Sequence, residues 1–571
     1  MEQSAFYNFL SGNHRKGVLH LATVSGVAST KPELIHYFDK EVSQIEIVTT
    51  KSFQVTVNPG NREPIICEPE VGNWGNSVGL RNAGMEAVFP PLQALSSQGM
   101  RVFLNVSVSA DNPQDFITLV KKFDPIADSI ELNFSCPHAS KGFGASIGSD
   151  CAIASSYVQA IRTAVPNQKS LLLVKLTPNV ADIGSIAQGV IAAGADGLVA
   201  INTTTPLVHM SEASGTPILQ NALGGKGGCS GDWVKDRAIE CVKEIRKAVG
   251  EDVPLIGMGG VSSGSDCRAL MNAGADAVGI GSAFGRVKQK FWQGYLQAVK
   301  DEFTKEINVI SSASFLSDEP QMAYEKMPIT SITYHGKDTL TLTLDGKMHC
   351  EPGEFAFLWL PGVGEKPFSL AEDNPVTFII KRRGIFTKAL WNFHVGDNLY
   401  VRGMYGAPLV NKKTKTALLI AGGTGVAVLP SLCKRLKSEE TQMSILVGTS
   451  ESGKGKALLE DILSKYGSFS CLADDGVPGR VLSLIDKETF DDDTAIYLVG
   501  PEIFMAIASK KLLLAGASAK NIYLSMERST RCGVGICGEC AVGGRLTCQW
   551  GTFMEYTYIA QEMPEILQIG R

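Results

Sequence analysis

The sequence contains no apolar run of about 18 residues without a charge, so it offers no candidate for a membrane-spanning helix. Its first residues also lack the basic-then-apolar order of a signal peptide. The formal net charge of only −5 gives no reason to expect nucleic acid or an anionic membrane as a partner. Nine of the 13 cysteines are scattered singly, which is typical of reduced thiols. We therefore expect a cytoplasmic protein that binds neither nucleic acid nor membrane.

The remaining four cysteines lie close together near the C-terminus. Cys532, Cys537, Cys540 and Cys548 follow the C-x4-C-x2-C spacing, with a fourth Cys further on, of plant-type [2Fe–2S] proteins. Soft, charged thiolates suit iron, and the intervening glycines let the backbone fold around inorganic sulfide. A structural zinc site is the alternative, but zinc usually takes two separated C-x2-C pairs. The spacing favours an iron–sulfur cluster, which carries one electron at a time.

The chain of 571 residues is too long for a single core and predicts about three to four domains. Over residues 1–305, eight short β-branched runs alternate with helix-length amphipathic segments. The runs are Val18–Val24, Gln44–Thr49, Arg101–Val108, Asp128–Phe134, Ser170–Leu176, Asp196–Asn202, Val253–Gly257 and Asp276–Gly281. This alternation predicts an α/β domain, namely a (β/α)8 TIM barrel.

Polar side chains follow the ends of these runs, where barrel enzymes keep their active sites. They are Lys51, Asn105, Asn133, Ser135, Cys136, Lys175, Asn202 and Thr203. Glycines follow the last two runs, at Gly259–Gly260 and at Gly281–Ser282, and a third glycine-rich turn is predicted at Gly227–Gly231. Loops after strands 7 and 8 are the usual phosphate site of this fold, because their N–H groups can surround an anion. We predict such a site, with ordinary tight turns as the alternative.

Several of these segments, taken together, resemble the class 1 dihydroorotate dehydrogenases. They are Thr49–Ser52, Asn76–Leu80, Asn133–His138, Val174–Leu176 and Ile201–Thr203. The resemblance covers essentially all of residues 1–305 and implies a barrel that binds FMN. It implies that Cys136 is the general base, which takes a proton from dihydroorotate while hydride passes to the flavin. Lys175 would lie at the flavin edge and stabilise the negative charge of the reduced ring.

The same resemblance implies which residues contact the ligands. Lys51, which is also expected to be catalytic, is expected to bind substrate together with Asn76, Asn133, His138, Asn202 and Thr203. The substrate carboxylate is expected to meet the backbone of Ser77, Val78, Gly79 and Leu80. FMN is expected to contact Asn105, Lys175, Gly231, Gly259, Gly260, Gly281 and Ser282.

One residue departs from this family. His138 stands where asparagine usually follows the Cys–Pro pair, and with Lys175–Asn179 it resembles the dihydropyrimidine dehydrogenases, which reduce uracil. Those enzymes lack the Asn76–Leu80 segment, so dihydroorotate is favoured and an NAD(P)H-dependent dihydropyrimidine dehydrogenase is the alternative. A further alternative is a redox module whose barrel only docks an electron carrier. The ring of Asn76, Asn133 and Asn202 speaks against that alternative.

The small, polar residues 306–322 end near Pro320 and predict a linker. Alternating runs at Thr339–Leu344 and Val376–Lys381 predict a small antiparallel barrel over residues 323–413. Lys366, Pro367, Phe368 and Ser369 resemble the R-P-F-S motif of ferredoxin-reductase-like FAD domains, and Gly384 and Thr387 resemble their second phosphate loop. The resemblance implies FAD, bound somewhat less tightly because Lys366 lacks the bidentate fork of arginine.

Residues 414–520 have the pattern of a dinucleotide fold. A predicted strand at Thr416–Ile420 leads into Gly422, Gly423, Thr424 and Gly425 and then a helix, which predicts a pyrophosphate site. This segment resembles the nicotinamide domain of the same reductases, as do the stretches around Asp475 and around Gly500 and Pro501. No arginine follows the next predicted strand, Met443–Gly448, which favours NAD over NADP. Lys454 and Lys456 keep NADP open.

The order of flavin barrel, nucleotide domain and, at residues 521–571, a small [2Fe–2S] domain resembles the electron-transfer subunit of class 1B dihydroorotate dehydrogenase. That subunit is usually a separate polypeptide, and the resemblance implies that this chain fuses it to the catalytic barrel. The resemblance implies that (S)-dihydroorotate is oxidised to orotate in pyrimidine (UMP) biosynthesis. Electrons would pass from FMN through the [2Fe–2S] cluster and FAD to NAD+. It also implies a homodimer through the barrels.

Overall fold

The computed structural model describes residues 4–134, 145–305, 309–449, 458–475, 477 and 479–568. The chain divides into two compact units. The first unit comprises Met1–Ala323 with Val534–Glu539, and the second comprises Tyr324–Gly533 with Cys540–Arg571. The finer division into domains, with boundaries near residues 305, 322, 413 and 520, stays a prediction.

The described strands of the first unit are, in chain order, β1 (Leu21–Thr23), β2 (Ile45–Thr49), β3 (Ile66–Glu70), β4 (Asn73–Asn76), β5 (Phe103–Val108), β6 (Ser129–Asn133), β7 (Leu171–Lys175), β8 (Gly197–Ala200), β9 (Thr204–Val208), β10 (Lys226–Gly231), β11 (Leu255–Met258) and β12 (Ala277–Ile280). Its described helices are α1 (Ala5–Leu10), α2 (Asn13–Lys16), α3 (Pro32–Glu41), α4 (Met85–Ser97), α5 (Pro113–Phe123), α6 (Ala145–Gly148), α7 (Cys151–Ala164), α8 (Ile183–Ala192), α9 (Lys235–Val249), α10 (Gly264–Asn272) and α11 (Trp292–Thr304).

Eight parallel strands of this unit close into a barrel in the order β1-β12-β11-β8-β7-β6-β5-β2. Each predicted run overlaps one of these strands, so the predicted (β/α)8 barrel is confirmed. Strands such as β7 are buried at every position, because side chains fill the interior while helices cover the outside. The carboxyl ends of all eight strands therefore meet at one mouth.

A four-stranded antiparallel sheet, in the order β3-β4-β10-β9, accompanies the barrel. The prediction of a glycine-rich turn at Gly227–Gly231 is wrong, since these residues belong to strand β10, which pairs with β4. The glycines serve close backbone approach: a Cβ at Gly231 would lie 2.0 Å from Gly72 O. This pairing brings Cys229 opposite Gly75 and Gly228 opposite Asn76.

Part of the predicted linker is held on the surface of the first unit. Glu302 of α11 accepts hydrogen bonds from Ser311 Oγ at 3.0 Å and from Ser312 N at 2.8 Å. Ten residues further on, Gln321 N donates to Glu68 Oε2 at 2.6 Å. Hydrogen bonds from backbone N–H groups to a carboxylate are charge-assisted and therefore strong. Glu302 and Glu68 thus hold the linker at Ser312 and at Gln321.

The described strands of the second unit are β13 (Glu325–His335), β14 (Thr339–Leu344), β15 (Phe355–Leu360), β16 (Gly364–Phe368), β17 (Leu370–Asp373), β18 (Val376–Lys381), β19 (Asn398–Tyr405), β20 (Thr416–Gly422), β21 (Gln442–Thr449), β22 (Ser468–Ala473), β23 (Thr494–Val499), β24 (Ile522–Ser525), β25 (Ala541–Val542), β26 (Arg545–Leu546) and β27 (Phe553–Glu555). Its described helices are α12 (Ile385–Ala389), α13 (Leu429–Ser438), α14 (Glu460–Leu463), α15 (Glu502–Leu514), α16 (Thr547–Trp550) and α17 (Tyr556–Glu562).

The first sheet of this unit is antiparallel and has the order β16-β15-β19-β13-β14-β18-β17. The long strand β13 pairs with β19 through its first residues and with β14 through its last ones, so it joins two halves of the sheet. Apolar side chains from both halves share one core. Both predicted strands, Thr339–Leu344 and Val376–Lys381, are confirmed as β14 and β18. The strand order is open, with β16 and β17 at its edges, rather than that of a closed barrel.

The second sheet has the order β22-β21-β20-β23-β24-β27 and is parallel except for β27. Separate apolar clusters cover its two faces, as expected for a nucleotide-binding α/β sheet. The predicted strands Thr416–Ile420 and Met443–Gly448 are confirmed as β20 and β21. Strands β24 and β27 come from the residues predicted to form the iron–sulfur domain, so that region contributes to this sheet.

None of the helices in the described ranges combines the length and apolar composition needed to cross a lipid bilayer. The longest of them, α9, has 15 residues, whereas a span takes about 20.

A buried ion pair lies between the strand starts of the barrel. Asp276 is fully buried and accepts from Arg246 Nη2 at 2.8 Å and from Leu255 N at 3.0 Å, and its other oxygen lies 2.6 Å from His14 Nδ1. Arg246 also donates to Val253 O at 2.8 Å. These contacts connect α9 to the segments that enter β11 and β12.

We predict that Arg246→Met destabilises the first unit by about 3–5 kcal/mol, because it removes the guanidinium from the buried Asp276 carboxylate and leaves only His14 and the Leu255 N–H beside it. Urea titration combined with hydrogen exchange at β11 and β12 measures this loss. The matched control is Arg15→Met, which removes an exposed ion pair with Asp252 and should cost about 1 kcal/mol or less. Equal losses in the two variants would contradict the prediction.

Candidate functional site

The mouth of the barrel opens into a cleft of about 1270 Å³, including the solvent at its entrance. Most of the barrel residues predicted to bind ligands line this cleft. They are Lys51, Asn76, Val78, Gly79, Leu80, Asn133, Lys175, Asn202, Thr203, Gly259, Gly260, Gly281 and Ser282. Three predicted residues do not line it, namely Ser77, Asn105 and Gly231. Cys136 and His138 lie outside the described residues.

Lys175, at the end of β7, is the buried cation of the cleft. It is 4% exposed, and its Nζ lies 3.8 Å from Oε1 of Glu131, which is fully buried on the neighbouring strand β6. Glu131 also accepts from Ser107 Oγ at 2.9 Å, and Asn105 Nδ2 lies 3.5 Å from its other oxygen. The carboxylate compensates the cost of burying the ammonium group. Lys175 is thereby placed to stabilise negative charge that develops in the cleft.

Glu131 was not predicted as a site residue, and the hydrogen bonds of Asn105 connect it to the same network. Asn105 was predicted to contact FMN, but its amide donates to Thr49 Oγ1 at 3.2 Å and its carbonyl accepts from Ser129 Oγ at 2.8 Å. Asn105 therefore takes part in the hydrogen-bond network around Glu131, and its contact with FMN stays a prediction. A signal for Glu131 was present, since a charged residue in the middle of a buried strand needs a partner.

Asn133 is oriented by a chain of hydroxyl groups. Its Nδ2 donates to Ser52 Oγ at 2.9 Å, and Ser52 Oγ lies 2.9 Å from Ser107 Oγ and 3.0 Å from Ser25 Oγ. Ser52 and Ser25 line the same cleft, although neither was predicted as a site residue. The network fixes the Asn133 amide, so this side chain is preorganised to hydrogen-bond a polar ligand.

The segment from Asn76 to Leu80 forms another wall. Asn76 Nδ2 donates to Gly228 O at 3.2 Å, and Gly79 and Leu80 both have positive φ, of 72° and 55°. Ser77 does not line the cleft, and its contact with the substrate carboxylate stays a prediction. Its N–H donates to Ile65 O at 2.8 Å, and its hydroxyl accepts from Asn221 Nδ2 at 2.6 Å. Ser77 thus anchors the loop, while its neighbours face the cleft.

The glycines after β11 and β12 allow the backbone to approach closely. Gly260 has φ of 70°, and a Cβ there would lie 2.5 Å from Gly231 O. A Cβ at Gly281 would lie 2.4 Å from a methyl group of Val24. After the turn at Gly259 and Gly260, α10 begins with a capping box between Ser263 and Asp266. Glycine at these two positions therefore lets each loop pack closely against neighbouring protein atoms, and the binding of phosphate there stays a prediction.

Cys229 lines the cleft and was not predicted as a site residue. It is 3% exposed on β10, and its Sγ lies 4.0 Å from His209 Nε2. Burial raises the pKa of the Cys229 thiol and lowers the pKa of the His209 imidazole. Both groups are therefore neutral at neutral pH, and Cys229 is a poor base.

A second cleft of about 1510 Å³, again including its open mouth, lies in the second unit. Six of the residues predicted for a pyrophosphate line it, namely Gly422, Gly423, Thr424, Gly425, Gly500 and Pro501. Asp475 does not line it, whereas its neighbour Asp474 does. The cleft also takes Lys381 and Arg383, two cations that the sequence pattern missed.

The predicted FAD residues lie on other elements of this unit. Lys366, Pro367 and Phe368 belong to β16, Ser369 follows it, and Gly384 and Thr387 open α12. Thr387 Oγ1 accepts from Arg383 N at 2.9 Å and from Gly384 N at 3.1 Å, which closes the turn between β18 and α12. None of the predicted FAD residues lines the second cleft.

The four clustered cysteines are all buried and none is in a disulfide. Cys540 Sγ and Cys548 Sγ are 3.4 Å apart, while Cys537 belongs to the segment assigned to the first unit. Gly533, Gly535 and Gly538 all have positive φ, so only glycine suits these positions. Within the described ranges, no three His, Cys, Asp or Glu side chains are grouped for a single metal ion.

Comparison with known proteins identifies the family of the first unit. The sequence model of the dihydroorotate dehydrogenase family matches residues 11–303. The chain is 38% identical over 274 residues to dihydroorotate dehydrogenase B (NAD(+)), catalytic subunit, of Methanocaldococcus jannaschii, which covers 48% of this chain and 82% of that relative. The corresponding subunit of Methanothermobacter thermautotrophicus is 40% identical over 236 residues, or 41% of this chain and 74% of the relative. The chain is also 34% identical over 238 residues to the probable dihydroorotate dehydrogenase B (NAD(+)), electron transfer subunit, of Thermococcus kodakarensis, which covers 41% of this chain and 96% of that relative.

We predict that Gly260→Ala weakens flavin binding at least about tenfold. The added methyl group strains or displaces the backbone at a cost of about 1–3 kcal/mol, and a loss of about 1.4 kcal/mol in binding free energy already lowers the affinity tenfold. Flavin retained after equilibrium dialysis measures the effect. Gly215→Ala is the matched control, since Gly215 has nearly the same φ, 69°, but no atom within 4 Å of its added Cβ. If both variants lost flavin equally, close approach at Gly260 would not be the reason.

Proposed function

The chain belongs to the dihydroorotate dehydrogenase family, and from this premise we propose that it oxidises (S)-dihydroorotate to orotate in pyrimidine biosynthesis and reduces NAD+. It is an oxidoreductase that is similar to both the catalytic and the electron transfer subunit of the NAD-linked enzymes. The observation that carries the proposal is the barrel cleft, in which one ammonium group and three amides that suit this substrate lie together. They are Lys51, Asn76, Asn133 and Asn202.

Dihydroorotate carries ring carbonyls, ring N–H groups and a carboxylate, and the cleft supplies complementary groups. Asn76, Asn133 and Asn202 each offer a donor and an acceptor to the ring. The N–H of Ser77 is committed to Ile65, so we assign the carboxylate to the backbone of Val78, Gly79 and Leu80. A neutral dihydropyrimidine would leave this segment without a partner, and the named relatives favour dihydroorotate.

FMN, when bound, supplies the acceptor for the substrate hydride. Lys175 is the protein group that would stabilise the extra electron density of the ring, and Glu131 holds its ammonium group in the wall of the cleft. Gly259, Gly260, Gly281 and Ser282 would surround the flavin phosphate, as loops after strands 7 and 8 do in this fold.

The proton is assigned to Cys136, on the resemblance of its segment to the family. Among the described residues that line the cleft, Cys229 is the one cysteine, and its physical state supports the assignment. Its thiol is kept neutral by burial, and the neutral His209 beside it supplies no positive charge to stabilise a thiolate. Cys229 therefore cannot replace Cys136 as the base.

We further propose that the second unit binds FAD and NAD, and that the four cysteines between residues 532 and 548 hold a [2Fe–2S] cluster. The glycine-lined cleft with Lys381 and Arg383 suits a pyrophosphate, because backbone N–H groups and cations both favour anions there. The donor set of Cys532, Cys537, Cys540 and Cys548 suits a cluster, since all four thiols are buried and positive-φ glycines lie between them. Electrons from the flavin of the barrel would reach NAD+ by way of the cluster and FAD.

A homodimer through the barrels is part of the proposal. It is supported by exposed apolar side chains on and beside the edge strand β9, at Leu207, Val208 and Met210. Edge strands with exposed apolar residues are prone to pair with another chain.

We predict that the purified protein forms NADH from dihydroorotate and NAD+, and prefers dihydroorotate to dihydrouracil by about 10⁴-fold in kcat/KM. The two substrates differ by the carboxylate, and a site built for a polar group rejects the analogue that lacks it by about that factor. Absorbance of NADH measures both rates. Protein without bound flavin, or equal rates with the two substrates, would contradict the proposal.

We predict that Cys136→Ala slows flavin reduction by dihydroorotate by about 10²–10⁴-fold, since it removes the general base. Reduction of FAD by NADH should be unchanged, and stopped-flow absorbance follows both half-reactions. Cys229→Ala is the matched control and should slow the first half-reaction less than about tenfold, a loss smaller than that of a general base. If Cys229→Ala slowed flavin reduction more than Cys136→Ala did, the assignment of the base to Cys136 would be wrong.

A further inference from the structure

The second unit contains a buried ion pair between two strands of its antiparallel sheet. Arg402 of β19 and Glu365 of β16 are each 1% exposed. The guanidinium donates twice to the carboxylate, from Nε and from Nη2, and both bonds are 2.7 Å long. Strand β15 separates the two strands, so the pair spans it. Such a bidentate pair has one preferred geometry and resists displacement.

Aromatic side chains enclose this ion pair. The guanidinium lies over the ring of Phe357 at 4.0 Å, and Tyr324 donates from its hydroxyl to Glu365 Oε2 at 2.5 Å. The guanidinium keeps its charge in this enclosure, since an arginine side chain does not lose its proton in proteins, and the bidentate carboxylate compensates it. Replacing such a pair by apolar residues is often neutral or stabilising. Stability is therefore a weak reason for its presence, which directs attention to what else it contacts.

The remaining donors of Arg402 lead to the predicted cluster ligands. Arg402 Nη1 donates to the backbone carbonyl of Cys532 at 2.9 Å and to Tyr405 Oη at 2.6 Å. The ring of Tyr405 lies against Gly533, where an added Cβ would come within 2.8 Å of the ring. At the end of the same strand, Gly406 N donates to the carbonyl of Cys548 at 3.0 Å. One end of β19 thus holds the backbone at two of the four cysteines.

The other partner, Glu365, leads to the predicted FAD residues. It directly precedes Lys366, Pro367 and Phe368 on β16. Glu365 pairs with Trp359 of β15, and Lys366 pairs with Leu358, so successive side chains point to opposite faces of the sheet. The ion pair therefore joins the strand of the flavin motif to the loop that begins with Cys532.

We propose that Arg402 is a positioning residue for electron transfer, which holds the Cys532 loop in a fixed place relative to β16 and raises the reduction potential of the cluster. This inference rests on the proposed function, because it requires a [2Fe–2S] cluster on these cysteines and FAD at β16. Net charge and hydrogen bonds near a cluster set its potential. The positive charge of Arg402 favours the reduced, more negative cluster, and Glu365 moderates that effect.

Two variants test the two parts of this proposal. Glu365→Gln keeps the shape and a hydrogen bond but removes the negative charge, so the cluster potential should become more positive. Arg402→Lys keeps the charge but loses the fork, so the Cys532 carbonyl loses its donor. The electron paramagnetic resonance spectrum of the reduced cluster should then change. Transfer from dihydroorotate to FAD should slow by about 10–100-fold, the usual cost of disturbing a group that orients metal ligands.

The controls separate positioning from folding. Lys434→Met removes an ion pair of α13 with Glu372 and Asp373 in the same unit, and it should leave both the potential and the spectrum unchanged. Reduction of FAD by NADH and the iron and sulfide content report whether each variant is folded and loaded. If Arg402→Lys does not load iron, the potential of Glu365→Gln still tests the proposal.

The outcomes are distinguishable from those of the proposed function. If the unaltered protein contained no iron and sulfide, the proposed electron path would fail and this inference with it. If the unaltered protein contained the cluster and formed NADH, but neither variant changed the potential or the spectrum, only the role of Arg402 would be overturned. A positive shift in Glu365→Gln with an altered spectrum in Arg402→Lys would support it.

Discussion

A cation that is buried together with a carboxylate from another strand recurs in both units, and each functional region depends on one. In the barrel, Lys175 lies 3.8 Å from Glu131 on the neighbouring strand. In the second unit, Arg402 is held by Glu365 across an intervening strand. An isolated charge in the interior costs several kcal/mol, and a paired one does not incur that cost in full. Both units can therefore keep a positive charge next to a site that we propose to accept electrons.

These ion pairs act on rigid elements. Lys175 is the last residue of one barrel strand, and Glu131 lies on the adjacent strand. Arg402 and Glu365 are on strands of one sheet. Side chains that start from strands are held more firmly than side chains on loops, and their neighbours lock their rotamers. The barrel network continues from Glu131 through Ser107 to Ser52 and Asn133, so charge and ligand recognition share one set of hydrogen bonds.

The backbone makes a complementary contribution at the glycines. Around the barrel cleft, residues such as Gly260 and Gly281 leave no room for a Cβ, and the strand Gly227–Gly231 approaches its neighbour equally closely. The same residue type therefore had two explanations in the sequence, a turn or a close approach. For Gly227–Gly231 the predicted turn is wrong. These residues form a strand whose partner β4 is distant in sequence, so the local pattern could not reveal the close approach.

Much of the architecture followed from local pattern. The eight barrel strands, the strands β14, β18, β20 and β21, and most of the cleft residues were predicted, because strands bury apolar residues with a regular spacing and barrel sites collect at strand ends. The small sheet of β3, β4, β10 and β9 was not predicted, since its strands are short, rich in glycine and polar residues, and paired over long sequence separations.

The sequence alone determined which chemistry is available: four thiols at an iron–sulfur spacing, a ring of amides and ammonium groups after apolar runs, and glycines where anions can approach. Tertiary structure alone decided which of these groups line the barrel cleft. Ser77 and Asn105 turned out to support their neighbours, while Glu131 and Arg402 acquired partners that no motif contains. The physical reason is that hydrogen bonds and ion pairs depend on distance in space, and a strand's neighbours are set by the closure of the whole sheet.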